Sequence, residues 1–284
     1  MVRERIADDI YVFTSRLYAQ VTAGAILTKE GVVLIDTLYF PEETAAIKTF
    51  IEDRLGLQIR YVINTHYHAD HSQGTYLFPE AQIISHKLCR EMLNTRGREG
   101  LERAKQHMPE LEPVQIVLPD LLFEDGIMQL YLGGKTIQLH HMPGHSMDLT
   151  GVFVTNNRIL FASDNVMPVP TLFDGDYHAL IHSLEKLLAM EPDSVVQGHG
   201  EVILRGEIES IIQDDLRYLR TIHDAVGEII AAGKPESVLG KLDIEKCGKS
   251  RIPLNGLVSD LHLANLRKLY ADMKEPAASS VNLA

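Results

Sequence analysis

NTHYHADH, residues 64–71, places His66, His68, Asp70 and His71 within six positions, directly after the apolar run YVI at 61–63. An imidazole beside a strand is unremarkable, but three of them with a carboxylate are not. Protonated, the rings repel one another, and the stretch holds no lysine or arginine to offset burial of the aspartate. A cation resolves both conflicts. In extended chain, side chains i and i+2 point the same way, so His66 and His68 can grip one ion from one side. Asp70 and His71 follow in a turn and can reach a second ion about 3.5–4 Å away, the usual spacing of two-metal hydrolytic sites.

Such a site needs ligands from elsewhere, and three candidates share one context. MPGHS puts His145 just after the strand-like KTIQLHHM, FASD puts Asp164 after RILFA, and QGHG puts His199 after SVV. Each stands where an apolar run meets a loop containing Gly, Ser or Pro. Five histidines and two carboxylates suit two divalent ions: His66, His68 and His145 for one, Asp70, His71 and His199 for the other, Asp164 between them. Nitrogen and oxygen donors without thiolate fit zinc, and also manganese or iron.

Working outward, IYVFTS (10–15), AGAILT (23–28), GVVLID (31–36), QIRYVINT (58–65) and AQIISH (81–86) read as strands, with a helix over 41–57 started by Pro41 and stopped at Gly56. Residues 87–113 are charged and helical, either an insertion or a lid. Strands return at IMQLYL, KTIQLHHM, TGVFVT and RILFAS, followed by a helix over 178–190 and a short strand at SVV. After Gly206 the period becomes purely helical, through Ile208, Ile212, Leu216, Leu219, Ile222 and Val226, with a second helix over 259–273. The expected organisation is therefore a sandwich over residues 1–206, two sheets with helices outside, and a helical extension over 207–284, whose last ten residues, EPAASSVNLA, are expected to fray.

Composition excludes several roles. A net charge of -12 and the lack of a basic arm argue against nucleic acid and against anionic membranes as partners. The start, MVRERIADDI, has no apolar core of a signal peptide, no run is long enough to span a membrane, and the two cysteines, Cys89 and Cys247, make no disulfide framework. A cytoplasmic protein acting on a small molecule is expected; oligomeric state is left open.

HYHADH, PGHS, the aspartate of FASD and the histidine of QGHG resemble the successive metal motifs of the metallo-β-lactamase superfamily, in order, from about residue 10 to 205. The resemblance implies an αββα fold of two mixed β-sheets flanked by helices, with a dinuclear site at one edge. LIDT at 34–37 resembles the family's first motif, which would make Asp36 a prop behind the ligands; taken by itself, Asp36 could simply cap a turn. A carboxylate at Asp164 is similar to glyoxalase II and related thioesterases, lactonases and phosphodiesterases.

Two such ions bring the pKa of a bound water to about 7, so hydroxide is available at neutral pH. Asp70 is the expected catalytic residue, holding that nucleophile in line with a carbonyl. The expected activity is hydrolysis of a small ester, thioester or lactone. The alternatives are β-lactam or phosphodiester hydrolysis at the same site, and an iron-dependent oxygenase. The loop 165–177 offers an apolar wall for an acyl group or packs against the helical tail. Met167, Phe173, Tyr177 and His178 are its candidates for touching substrate.

Overall fold

The structure, a computed structural model, describes residues 1–274; the tail 275–284 lies outside the described residues. In chain order the strands are β1 Val2–Ala7, β2 Ile10–Thr14, β3 Thr22–Thr28, β4 Gly31–Ile35, β5 Ile59–Ile63, β6 Gln82–His86, β7 Leu121–Phe123, β8 Ile127–Leu132, β9 Lys135–His141, β10 Thr150–Val154, β11 Ile159–Ser163, β12 Ser194–Gln197 and β13 Ile203–Leu204. The helices are α1 Pro41–Thr49, α2 Ala69–Ser72, α3 Lys87–Met92, α4 Arg98–Lys105, α5 Tyr177–Ala189, α6 Arg205–Ala231 and α7 Val258–Lys274.

β1 to β7 form one sheet in sequence order, and the other runs β13-β12-β11-β10-β9-β8. Both are mixed: β4 to β7 pair in parallel, as do β11 and β12, while the remaining pairs are antiparallel. Strands covered on both faces read as unbroken apolar runs, as in GVVLI and ILFAS. β1, VRERIA, reads otherwise because it is a charged, exposed edge, and this hid it from the hydrophobic pattern.

Three apolar clusters make four layers. Between the sheets, Ile26, Val33, Ile35 and Ile63 meet Ile137, Leu139, Val152 and Phe161. Leu34 and Val62 face outward onto Ile47 and Ile51 beside α1. On the other side Leu160 and Val195 pack against α5 and α6, and the same cluster continues into α7. The αββα arrangement expected from the motifs is the one observed, with a helical C-terminal region added. Helix α1 ends earlier than its pattern suggested, in one wider turn over Phe50–Arg54, before Gly56 reverses the chain at φ +66°. Residues 87–113 pack rather than float: Cys89 and Leu93 lie under Tyr67, and Leu101 meets Leu111 and Val114.

Strand direction delivers the site. β4 and β5 are parallel, β11 and β12 are parallel, and β9 runs with β11 because β10 is antiparallel to both. Their C-terminal ends therefore share one edge, and Asp36, His66, His145, Asp164 and His199 follow those ends. The sheets are stitched there: the Thr22 amide donates to Gly198 O at 2.9 Å and the Thr150 amide to Thr65 O at 2.8 Å.

The sheets close tightly where Gly24 faces the ring of Phe161, which a Cβ at residue 24 would overlap. Gly24→Ala is expected to cost about 1–3 kcal/mol by overpacking. Denaturant titrations of Gly24→Ala, Phe161→Leu and the double variant should show the double less destabilised than the sum.

Candidate metal centre

The structure brings all seven ligand candidates together. His66, His68, His145 and Asp164 form one group and Asp70, His71 and His199 a second, with one donor atom from each residue within 4.8 Å of the others in its group. Asp164 also joins the groups: its Oδ1 is 3.0 Å from His71 Nε2 and its Oδ2 is 3.4 Å from both His145 Nε2 and His199 Nε2. Its own place depends on Gly198, since a Cβ there would overlap the Asp164 carboxylate.

The outer ring nitrogens decide which way the lone pairs face. His145 Nδ1 lies 3.1 Å from the carbonyl oxygen of Thr171, and His199 Nδ1 lies 2.8 Å from that of Ala19. His71 Nδ1 meets Asp36 Oδ2 at 2.8 Å, and His68 Nε2 meets Asp174 Oδ2 at 3.3 Å. All four partners accept, so these nitrogens carry the hydrogens and the opposite nitrogens turn lone pairs inward. The consequence is that His68 Nδ1 and His145 Nε2, both turned inward as acceptors, face each other at 3.0 Å; His66 Nε2, 2.9 Å from the same Nδ1, can donate to only one of them. His71 Nε2 and Asp164 Oδ1, although 3.0 Å apart, are not aligned for a hydrogen bond, and neither has another partner. Acceptors crowded against acceptors fit cations.

Charge says the same. No lysine or arginine among the described residues pairs with Asp36, Asp70 or Asp164. Burial lowers the proton affinity of His66, and that of His145 to about 4, keeping both neutral. At His71 and His199 burial works in the same direction but the carboxylates outweigh it: Asp164, Asp70 and Asp36 hold His71 well above its ordinary value, and Asp164 and Asp70 push His199 up to about 10. Without cations, protons are drawn in.

Asp36 sits behind His71, at φ +59°, and also accepts the Thr65 amide and hydroxyl, each at 2.8 Å. It therefore braces the loop as well as the ring, which a simple turn cap does not do. The loop 165–177 divides between its two readings. Val166, Val169 and Leu172 join the core against α5, α6 and α7, whereas Met167 and Phe173 line the cleft over the ligands. Tyr177 and His178 do not line it. Helix α5 begins at Tyr177, capped by Asp176, and the chain turns away there, stacking Tyr177 on His223 at 4.3 Å with the exposed His178 beside it. The structure thus sets these two residues apart from the cleft: the helix read over 178–190 begins at Tyr177, and its first turn carries both side chains toward His223.

Several residues escaped the sequence reading. Asp174 holds His68, accepts a hydrogen bond from the Tyr67 hydroxyl and pairs with Arg96 at 3.4 Å, linking a ligand to the 87–113 segment. Asp148, fully buried, accepts the Tyr67 amide at 2.8 Å and so fixes the chain between His66 and His68. Tyr18 lines the cleft, stacked on Tyr39 at 4.5 Å, its phenol kept protonated by burial and by Asp70. The signal for Asp174 was its place in the apolar loop 165–177; Asp148 and Tyr18 gave none.

The chain matches the Metallo-beta-lactamase superfamily over residues 18–199 and belongs to it. It is similar to a beta-lactamase-like protein 2 homolog of Caenorhabditis elegans, 22% identical over 214 residues, covering 75% of this chain and 65% of that protein. It also resembles an atrochrysone carboxyl ACP thioesterase of Claviceps purpurea, 22% identical over 250 residues and covering 85% and 72%. Among solved structures, a metallo-beta-lactamase from Pontibacter korlensis shares the fold, with TM-score 0.62 and 20% identity over 75% of this chain and 98% of that one. The chain spans 65% of the nematode relative's length. No helix among the described residues is long and apolar enough to cross a membrane.

Asp174→Ala is expected to free His68 to rotate and to weaken any divalent-ion binding at this cluster by about 10- to 100-fold, as loss of such outer partners does. Competition with a chelating dye, at unchanged circular dichroism, reads this directly.

Proposed function

We propose that this protein is a metal-dependent hydrolase that holds two divalent ions and cleaves a small ester, thioester or lactone. One observation carries the reading: imidazole lone pairs and carboxylates converge on two adjacent points, with acceptors fixing the far side of four rings. In this reading His66, His68 and His145 hold one ion, Asp70, His71 and His199 the other, and Asp164 reaches both. Zinc suits such donors, and manganese or iron would also fit. When bound, the ions acidify water and polarise the substrate oxygen.

The chain's own residues supply the rest. Asp70 faces the cleft with its carboxylate kept ionised at a pKa of about 2: burial opposes this, and His71 and His199 outweigh it. It serves to hold the attacking water in line with the carbonyl. Tyr18 supplies an uncharged donor for the oxygen that gains charge, and Met167 and Phe173 exclude water from one side. A protein nucleophile is not called for, since Cys89 and Cys247 are both buried away from the cleft lining. The relative named as a thioesterase supports carbonyl chemistry.

A second reading, phosphodiester hydrolysis, draws on a cleft of about 460 Å³ on the far side of His68, lined by Arg96 and Arg103. Glu99 and Asp174 share that wall and Arg96 is paired with Asp174, so the cleft is close to neutral. It favours a polar group over a dianion.

Initial rates with a thioester, a lactone, a β-lactam and a phosphodiester, on zinc- and on manganese-loaded protein, test the reading. A carbonyl substrate should dominate and Asp70→Ala should lower its rate about 10²- to 10⁴-fold. A dominant phosphodiester rate would replace this reading with the second. Chelation should abolish the activity and lower the melting temperature, since bound ions stabilise only the folded chain.

A further inference from the structure

The hydrolase reading leaves the acyl group unspecified, and a subsite for that group rests on the same reading. Over the ligand groups lies a cleft of about 260 Å³. One wall is Met167 and Phe173; the other comes from the helical extension, with Leu254 and Leu257 preceding and opening α7 and Leu261 in its first turn. Apart from the ligand candidates, no charged side chain lines it. A smaller pocket of about 160 Å³ shares Thr171, Phe173 and Leu261 and continues along α7 past Ala264 to Lys268.

Two observations single out this wall. Phe173 is 58% exposed and Leu257 40% exposed, so large apolar surface is left in water beside the reacting groups. The turn that presents Leu257 is also strained. Leu254, Asn255 and Gly256 are consecutive left-handed residues, at φ +54°, +56° and +90°, a region a leucine side chain disfavours. Such backbone persists where its surroundings over-determine it, and functional sites are where it collects. Here Leu254 is anchored in the core at 5% exposure, and the turn then swings Leu257 out over the cleft. Asn265 locks the opposite wall to the same helix, accepting the Leu172 amide at 2.9 Å and donating to Pro170 O at 2.8 Å.

We propose that the turn 254–257 and the first turns of α7 form an acyl subsite. It takes a linear apolar chain that runs from the ligand cluster past Phe173, between Leu257 and Leu261, toward Ala264. The leaving portion then lies on the polar side of His68. An apolar chain in such a groove gains affinity with each methylene, by about two- to fourfold in a half-open site.

The test uses zinc-loaded full-length protein and two ladders. Calorimetry gives affinities for acetate, butyrate, hexanoate and octanoate, the product acids, and initial rates give kcat/KM for their thioesters. Both ladders should climb about two- to fourfold per methylene before levelling. Leu257→Ser should flatten them, and Leu257→Trp, by filling the groove, should move the optimum to shorter chains. Tyr131→Ser, which removes exposed apolar surface on the distant edge strand β8, should leave both ladders as they were. A flat wild-type ladder, or one unchanged in both Leu257 variants, overturns the subsite. Hydrolysis with no chain-length preference would remove the subsite and keep the hydrolase. Graded binding without hydrolysis of any acyl substrate would keep the subsite and remove the hydrolase, and failure of both would remove both.

Discussion

Lone pairs that face one another across about 3 Å organise this molecule. His68 Nδ1 and His145 Nε2 at 3.0 Å are each turned inward by an acceptor behind the ring. Across the site such acceptors come from distant parts of the chain: Asp36 at the end of β4, Ala19 before β3, Thr171 and Asp174 in the loop before α5. The inward geometry is thus a property of the whole sandwich edge, and it depends on the sheets meeting as they do. Burying such an arrangement costs free energy until positive charge enters it.

The same constraint explains the acidity of the edge. Asp36, Asp70 and Asp164 are each at least mostly buried, and no lysine or arginine among the described residues pairs with them. A fixed lysine or arginine would complete the charge but occupy the space. In the proposed reading, cations would balance the charge and leave the cleft open at its centre. Glycine at 198 serves the same economy of space, since any side chain there would displace Asp164.

How far the fold was legible depends on where its information resides. GVVLI, ILFAS and the ligand motifs at strand ends announce themselves, because burial on both faces forces apolar runs and chelation forces donors into short spacings. β1 escaped because a charged edge strand obeys solvent, not core. Asp148 and Asp174 escaped for another reason: each acts on a residue 81 or 106 positions away, through contacts made only after the sheets close. Asp36 was visible only through a motif. Tyr177 and His178 stand next to the cleft loop in sequence but not in space, because the start of α5 carries them away from it.

The helical region after β13 then acquires a role that core packing alone does not account for. Most of α6 is spent on the outer face of the second sheet, through Ile208, Ile212, Leu216 and Leu219. Helix α7 packs on α6, yet it also reaches the loop 165–177 through Asn265, and that loop carries Asp174, the partner of His68. One path of contacts therefore runs from α7 to a ligand ring. A change in how α7 seats would reach both the cleft wall and His68, which in the proposed reading would couple substrate fit to ligand geometry. In the proposed reading the determinants of specificity lie outside the sandwich, on an element whose variation also reaches the edge that gathers the ligand candidates.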